Sequence, residues 1–212
     1  MADTTKAKAA KENGKVSKHV LKSEKTRTLL LQAATKIVGQ HGYANASVAA
    51  ITTMAGVAQG TFYNYFSSRQ ELLDQLLPSI GNDMLLYIQK RMNESIVEKE
   101  AEILRFRAFF EYLNLVPEFQ RILSEAELFA LAGFQCHIDN ITNGYVKILK
   151  RARAKGSLVD MTDDEIEATV HLLMGARGYL ARRYAYVDGE HIEAPEYMFT
   201  AYERLIRNGL FR

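Results

Sequence analysis

The sequence predicts an all-α fold of about nine helices. Apolar residues recur at three- and four-residue spacings from Lys25 onward, and no long stretch alternates β-branched with polar residues. Helix-start and helix-stop residues such as Gly42, Pro117 and Gly156 divide the pattern into segments. The chain has 212 residues, which is enough for one large domain or two modest ones.

A tight turn between two short helices is the most informative local feature. The first of these helices has one predicted buried face, formed by Val48, Ile51 and Met54. The second is predicted over 58–64, with Phe62 facing inward. Between them Gly56 allows the positive φ of a sharp turn, and Val57 fills the angle between the helices. Such short helices bury little surface, and their usual use is to place the second helix in the DNA major groove.

The fourth helix is predicted to join this unit to the rest of the chain. Ser67 and Gln70 have the spacing of a capping box at its start. Pro78 and Gly81 are expected to interrupt or bend it before the helical pattern resumes over 84–92.

Further helices are predicted over 101–114, 118–131, 135–154, 163–186 and 195–208. Thr162 and Glu165 form a second capping box, and Gly209 stops the last helix.

Composition predicts a soluble protein of a reducing compartment. Hydrophobic residues make up 48% and charged residues 25%, with no apolar run long enough to span a bilayer. The lysine-rich start lacks the apolar stretch of a secretory signal, and the single cysteine, Cys136, excludes an internal disulfide. We therefore expect a cytoplasmic, bacterial location.

Positive charge is concentrated at the N-terminal end. Residues 1–76 contain ten Lys and Arg against five Asp and Glu, whereas residues 77–212 contain seventeen against twenty. This asymmetry suits a head that binds a polyanion. Residues 1–24 have six lysines and few large apolar side chains, which predicts a disordered basic arm. The arm either follows DNA phosphates or enters a minor groove, or serves only as a solubilising tail.

An ordered set of residues between Thr26 and Leu77 resembles the DNA-binding domain of the TetR family of bacterial transcription regulators. The matching residues are Arg27, Leu30, Ala33-Ala34, Gly42-Tyr43, Ser47-Val48, Ile51, Ala55-Gly56-Val57, Gly60-Thr61-Phe62-Tyr63, Tyr65-Phe66, Ser68-Arg69 and Glu71-Leu72. They cover about fifty of the 212 residues. Ala58 departs from the pattern, since a serine often caps the recognition helix there. The resemblance implies a three-helix DNA-binding domain over 25–76 and a helical ligand-binding and dimerisation domain over 77–212.

Three residues at the start of the recognition helix are predicted to read base edges. Gln59 can bond adenine through its amide, and Thr61 can touch a thymine methyl group. Gly60 leaves room for close approach of the backbone.

Four further residues are predicted to contact phosphates. The resemblance implies that Tyr63 and Tyr65 donate their hydroxyl groups to the DNA backbone. For Tyr63, packing in the core is the alternative. Ser47 and Arg69 each lie at a helix start, where anions are favoured.

The second half of the chain is rich in aromatic residues, which form either a plain core or the wall of a cavity. The resemblance favours a small-molecule cavity between helices, whose usual make-up is apolar walls with a few polar groups. The candidate ligand contacts are Phe106, Phe110, Phe134, His137, Tyr145, His171, Met174 and Arg177. An apolar, aromatic interior suggests a small hydrophobic or aromatic effector, such as a fatty-acyl or aromatic-acid derivative.

The resemblance also implies a homodimer, in which the last two helices of each subunit form a four-helix bundle. Gly175 and Gly178 would let another helix approach closely. The alternative is that these glycines relieve packing inside one subunit. A twofold dimer would present two recognition helices to a palindromic site on double-stranded DNA.

The sequence predicts a ligand-responsive transcription regulator, most simply a repressor. No cofactor or metal site is predicted, because the five histidines are scattered. No nucleophile–base pair or phosphate loop indicates an enzyme. A DNA-binding regulator without an effector and a transcriptional activator remain alternatives.

Overall fold

The computed structural model describes residues 2–92, 96–187 and 190–209, with side chains from residue 23 onward. Within these residues it contains nine helices and one pair of two-residue antiparallel strands. The elements are α1 (Ala2–Asn45), α2 (Val48–Ala55), α3 (Gln59–Phe62), α4 (Arg69–Gln89), α5 (Glu98–Leu115), α6 (Glu118–Phe129), α7 (Leu131–Ala154), α8 (Asp163–Tyr184), β1 (Tyr186–Val187), β2 (Glu190–His191) and α9 (Glu196–Asn208). The prediction of an all-α fold is confirmed, although the strand pair was not predicted.

Helix α1 continues through the segment expected to be a disordered arm. Its backbone is helical from Ala2, and Ala and Lys, which are frequent there, are good helix formers. The lysine side chains of this segment lie outside the described residues, so their contact with DNA stays a prediction. At the other end Gly42 leaves the helical conformation, with φ at +79° and ψ at 165°.

One continuous apolar cluster joins the N-terminal helices to α5, α6 and α9. Its N-terminal part includes Leu30, Ala34, Val38, Ile51, Phe62, Phe66, Leu72 and Leu76. Its C-terminal part includes Phe106, Phe109, Tyr112, Leu113, Phe119, Ile122 and Tyr202. A second, smaller cluster between α7 and α8 contains Tyr145, Leu149, Ile166 and Val170. Because one core spans both halves, the N-terminal domain over 25–76 (the head) and the described part of 77–212 (the body) pack as a unit.

Helix α4 continues through Pro78, so the interruption that was one of the two predicted effects does not occur. A proline cannot donate to the carbonyl four residues earlier, so the Asp74 carbonyl loses its helical partner. Gly133 of α7 packs against that oxygen so closely that a Cβ atom would lie 2.2 Å from it. The predicted cap was also displaced by one residue. The Ser68 side chain accepts from the Glu71 amide at 3.1 Å, and Ser67 donates to the Glu71 carboxylate.

The capping box at the start of α8 is confirmed. The Thr162 side chain accepts from the Glu165 amide, and the Glu165 carboxylate accepts from the Thr162 amide at 2.7 Å. Helix α9 begins after Pro195 and ends before Gly209, as predicted.

Two further close approaches hold the N-terminal helices against the body. At Gly81 of α4 a Cβ would lie 2.2 Å from Nδ1 of His137 in α7. At Gly39 of α1 a Cβ would lie 2.1 Å from the Glu118 side chain of α6. Interhelical distances at these points therefore depend on the absence of a side chain.

A pair of glycine substitutions in α7 tests this packing. Gly133→Ala should lower the free energy of unfolding by about 1–3 kcal/mol, because the new methyl group clashes with the Asp74 backbone. Gly144→Ala is the matched control, since nothing lies within 4 Å of its Cβ position, and it should gain up to ~1 kcal/mol from helix propensity. Urea denaturation measures both. Equal effects of the two changes would contradict this account.

Candidate functional site

The turn between α2 and α3 has the geometry that its sequence predicted. Gly56 adopts φ +68° and ψ 34°, the left-handed conformation that favours glycine. The Val57 amide donates to the Thr52 carbonyl at 3.0 Å, and Val57 packs partly buried against the core. Met54 differs from the prediction. It is 46% exposed, whereas Thr52 is buried and donates its hydroxyl to the Val48 carbonyl.

Helix α3 presents its first residues to solvent. Gln59 and Gly60 are exposed, Thr61 is half-buried, and Phe62 is fully buried beneath them. Among the side chains that the structure describes, none lies within 4 Å of the Cβ position of Gly60. Ala58 provides no side-chain cap, as its chemistry predicted. These residues are therefore exposed enough to enter the major groove of DNA. Their contact with bases stays a prediction.

Tyr63 lies on the surface beside α3. Its side chain is 59% exposed, and its ring meets Phe62 edge-on with centroids 5.3 Å apart. This exposure argues against the core-packing alternative. Tyr65 is half-buried against the core. Ser47 is exposed and caps α2, where its side chain accepts from the Ala50 amide at 3.1 Å.

Arg69 uses its Nε and Nη2 donors on backbone carbonyls of the N-terminal domain, and its contact with a DNA phosphate stays a prediction. Its Nε donates to the Ala46 carbonyl at 2.6 Å, and its Nη2 donates to the Tyr43 carbonyl and lies 3.4 Å from that of Ala44. These carbonyls belong to the end of α1 and the connection to α2, where cations are favoured. Arg69 thus fixes the position of α2 relative to α4, a role that the sequence alone did not indicate.

Side chains of α6 also form hydrogen bonds with the backbone at this end of α1. Arg121 of α6 donates to the Gly39 and Gln40 carbonyls at 3.3 and 3.0 Å, and it pairs with Glu125 at 2.8 Å. Glu125 in turn accepts from the Tyr43 amide at 2.9 Å. Helix α6 is therefore bonded directly to the segment that precedes α2.

A cavity of about 1040 Å³ lies between α4, α5, α6, α7 and α8. Apolar side chains in its wall include Met84, Leu85, Ile88, Phe109, Phe119, Leu123, Ile141 and Ile148. The volume and the apolar walls are typical of a small-molecule site.

Six of the eight predicted ligand contacts line this cavity: Phe134, His137, Tyr145, His171, Met174 and Arg177. Phe106 and Phe110 do not. Phe106 stacks on Tyr202 of α9 with centroids 3.6 Å apart, and Phe110 meets Phe199 edge-on at 5.4 Å. Both side chains are core residues, because the face of α5 that carries them is covered by α9.

A buried carboxylate lies behind the cavity wall. Glu102 is 8% exposed and accepts from Arg177 Nη2 and the Tyr202 hydroxyl, both at 2.6 Å, and from the Tyr145 hydroxyl. Arg177 also donates to the Tyr145 oxygen at 2.6 Å. Burial raises the pKa of the Tyr145 hydroxyl, so the phenol stays protonated. The network ties α5, α7, α8 and α9 together.

Glu102 was missed by sequence reasoning. Its position four residues before Phe106 places it on the buried face of α5, and a charge on such a face indicates a buried partner. The sequence predicts Arg177 as a ligand contact, whereas in the structure its guanidinium pairs with Glu102.

His137 is a neutral polar group in the cavity wall. It is 4% exposed, and burial lowers its pKa to about 4. Its ring packs edge-on to Phe119 with centroids 6.0 Å apart, and it faces Gly81 of α4.

Cations also line the cavity: Arg105, Arg151, Lys155, Arg177 and Arg182. Glu98 and Glu127 are the carboxylates among the lining residues of the described chain. The wall therefore favours an apolar molecule that carries negative charge.

Helices α8 and α9 expose an apolar surface. Leu172 is 74% exposed, and Tyr179 and Tyr197 are each 64% exposed. Within the described chain, nothing lies within 4 Å of the Cβ positions of Gly175 and Gly178. Both glycines line the cavity between the helices, so neither relieves packing against a neighbouring helix of the same subunit.

Residues 30–76 match the family model for bacterial regulatory proteins of the tetR family. The resemblance seen in the sequence is thereby confirmed. Among curated proteins, the chain is similar to the fatty acid metabolism regulator protein of Bacillus subtilis, with 27% identity over 60% of this chain and 66% of that protein. It is also similar to the uncharacterized HTH-type transcriptional regulator YvdT of the same organism, with 41% identity over 27% of this chain and 28% of that protein. The matched segments span less than two thirds of either relative.

Solved structures share the TetR-like fold. FadR from Bacillus subtilis in complex with stearoyl-CoA has a TM-score of 0.71 at 18% identity, covering 87% of this chain and 99% of that chain. A TetR-family regulator from Syntrophomonas wolfei has a TM-score of 0.74 at 18% identity, covering 89% and 97%. In the part of the chain that the structure describes, no helix is long and apolar enough to cross a membrane.

Replacing Arg69 separates the two roles considered for it. Arg69→Met should lower both the thermal stability and the DNA affinity, because three backbone carbonyls lose their donor. If Arg69 acts only through these carbonyls, the slope of log affinity against log salt should not change. A slope reduced by about one would show a phosphate contact instead. Thermal unfolding and binding at several salt concentrations measure these effects.

Protonation of His137 should destabilise the fold in acid. With a folded-state pKa of about 4 and an ordinary value of 6.5, the unfolded chain binds the proton first as the pH falls. Stability should therefore decrease from pH 6.5 to pH 4, by up to about 3 kcal/mol relative to His137→Gln. Denaturation of both proteins across this range measures the difference. A difference independent of pH would contradict the burial of a neutral imidazole.

Proposed function

From the TetR-family N-terminal domain at residues 30–76, we propose that this transcription regulator is a repressor. It binds a palindromic operator as a homodimer, and a small hydrophobic effector in the body releases it. The observation that carries the proposal is one continuous helix, α4, which begins beside the exposed α3 and ends in the wall of a large cavity.

The exposed start of α3 supports sequence-specific DNA binding. Gln59, Gly60 and Thr61 project from a domain held rigidly by a buried core, and Arg69 fixes the geometry behind them. A rigid support is what allows a few side chains to reach base edges reproducibly. Ser47, Tyr63 and Tyr65 flank α3 and are proposed to contact phosphates.

The cavity supports an effector, and it argues against the alternative of a regulator without one. At about 1040 Å³ it is far larger than a packing defect, since well-packed interiors have few voids larger than a water molecule. A similar fold, FadR of Bacillus subtilis, has been solved with stearoyl-CoA. We propose an effector with a long or bulky apolar part, of the fatty-acyl kind.

Two helices couple the cavity to the DNA-reading head. Helix α4 packs tightly on α7 at Asp74 and Gly81, and beyond Gly81 it lines the cavity. Helix α6 lines the cavity through Leu123 and holds the end of α1 through Arg121. An effector that separates α4 from α7 would reorient the head around these contacts. The effector must bind the released state more tightly, with a coupling free energy of about 1–3 kcal/mol.

The apolar surface of α8 and α9 is proposed to form the dimer interface. Leu172, Tyr179 and Tyr197 are exposed there, whereas Gly175 and Gly178 line the cavity. A twofold dimer would place two α3 helices in successive major grooves, ~34 Å apart.

Selection of bound sequences from random duplex DNA tests the proposal. The purified protein should select a palindrome, and Gln59→Ala should change the preferred base at one position in each half-site, with a loss of about 1–3 kcal/mol of discrimination. Leu128→Ala is a matched control, because Leu128 is exposed on α6.

The same selected DNA then tests the effector. Decanoyl-CoA or free decanoate should release the protein from the palindrome in a mobility-shift assay. Weak, sequence-independent and salt-sensitive binding would contradict sequence-specific regulation. A palindrome that no apolar ligand releases would support the regulator without an effector.

A further inference from the structure

We infer that Arg105 is an internal anion-binding residue of the cavity, which receives a carboxylate carried by an otherwise apolar effector. This inference rests on the proposed effector cavity and names the chemistry of its ligand. According to this inference, the carboxylate of the effector binds Arg105 inside the cavity and not the exposed cations of the cavity wall.

Arg105 has one acidic neighbour, Glu102, at ion-pair distance but without a hydrogen bond. Its side chain is 14% exposed and lines the cavity, and its Nη1 lies 3.6 Å from Glu102 Oε2, beyond hydrogen-bond distance. Its guanidinium also lies 5.9 Å from the centre of the Tyr145 ring. No hydrogen bond from the Arg105 side chain occurs among the described residues. A half-buried cation whose N–H donors are unused is a receptor for an anion.

Glu102 is satisfied without Arg105. Its Oε1 accepts from Arg177 and Tyr202, both at 2.6 Å, and its Oε2 accepts from Tyr145. The cluster of Glu102, Arg105 and Arg177 therefore carries one surplus positive charge within the wall. That surplus belongs to Arg105, because the ion pair of the other two residues is closed by hydrogen bonds.

The surroundings of Arg105 define the class of ligand. Ile88 and Phe109 line the same cavity, so a carboxylate at Arg105 would have an apolar chain beside it. Two parallel N–H donors of a guanidinium match the two oxygens of a carboxylate. The electrostatic attraction is stronger inside the cavity than at exposed Arg151, because less water screens it.

This recognition distinguishes a free acid from its esters. A neutral ester or thioester places an uncharged carbonyl group where the acid has two charged oxygens. A thioester of coenzyme A carries its negative charges in a distant part of the molecule, which would reach the exposed cations instead. The inference therefore predicts a preference for the free acid inside the cavity.

The test compares matched ligands by isothermal titration calorimetry on the full chain. The ligands are decanoate, methyl decanoate and decanoyl-CoA, all below their micelle concentrations. Decanoate should bind wild-type protein about tenfold or more tightly than methyl decanoate. Arg105→Met should remove that preference by weakening decanoate alone, whereas Arg105→Lys should retain part of it.

Arg107→Met is the control, because Arg107 lies on the same helix but pairs with Glu196 at 2.6 Å outside this cavity. It should leave the preference for decanoate unchanged. Thermal unfolding of each variant reports whether it is folded. If Arg105→Met does not fold, two measurements still test the inference. These are the affinities of the wild-type protein for decanoate and methyl decanoate, and the affinities of Arg105→Lys for the same two ligands.

Four results would overturn the inference. Equal binding of decanoate and methyl decanoate, or equal weakening of both by Arg105→Met, would make Arg105 a structural residue while the proposed effector cavity stands. Tighter binding of decanoyl-CoA than of decanoate by the wild-type protein would contradict the preference for the free acid and would place anion recognition at the exposed cations. If none of the three ligands binds, both this inference and the proposed fatty-acyl effector fail.

Discussion

The close packing of α4 on α7 is the constraint on which the rest of the structure depends. Pro78 frees the Asp74 carbonyl, and Gly133 packs directly on that oxygen. Two turns further on, Gly81 admits the ring of His137. These contacts leave no room for side chains between the helices, so they fix α4 where it leaves the head. The cavity lies beyond them, where larger side chains line both helices.

The body is held around the cavity by polar as well as apolar contacts. Glu102 and Arg177 form a buried ion pair whose remaining acceptor capacity is met by two tyrosine hydroxyls. Removing one member of such a pair leaves an uncompensated charge and costs about 3–5 kcal/mol. The network therefore keeps four helices in register beside a space that packing alone would tend to close.

Two arginines at the junction of head and body donate hydrogen bonds to backbone carbonyls of neighbouring segments. Arg69 from α4 and Arg121 from α6 both donate to carbonyls near the end of α1. The free carbonyls at a helix end attract cations, and the positive φ of Gly42 exposes more of them. The orientation of α2 and α3 is thus set by side chains from both parts of the molecule. Helix α6, which carries Arg121, also lines the cavity through Leu123.

The sequence by itself determined the helical fold, the α2–α3 turn, the capping box of α8 and six of the residues that line the cavity. These features are local, because they depend on apolar spacing, on a glycine with positive φ and on capping residues. Only the tertiary structure decided the roles of Arg69, Phe106, Glu102 and Arg105. Whether an arginine meets a carbonyl, a carboxylate or open space depends on residues distant in the chain. The continuity of α4 through Pro78 was decided in the same way, since its cost is offset by contact with α7.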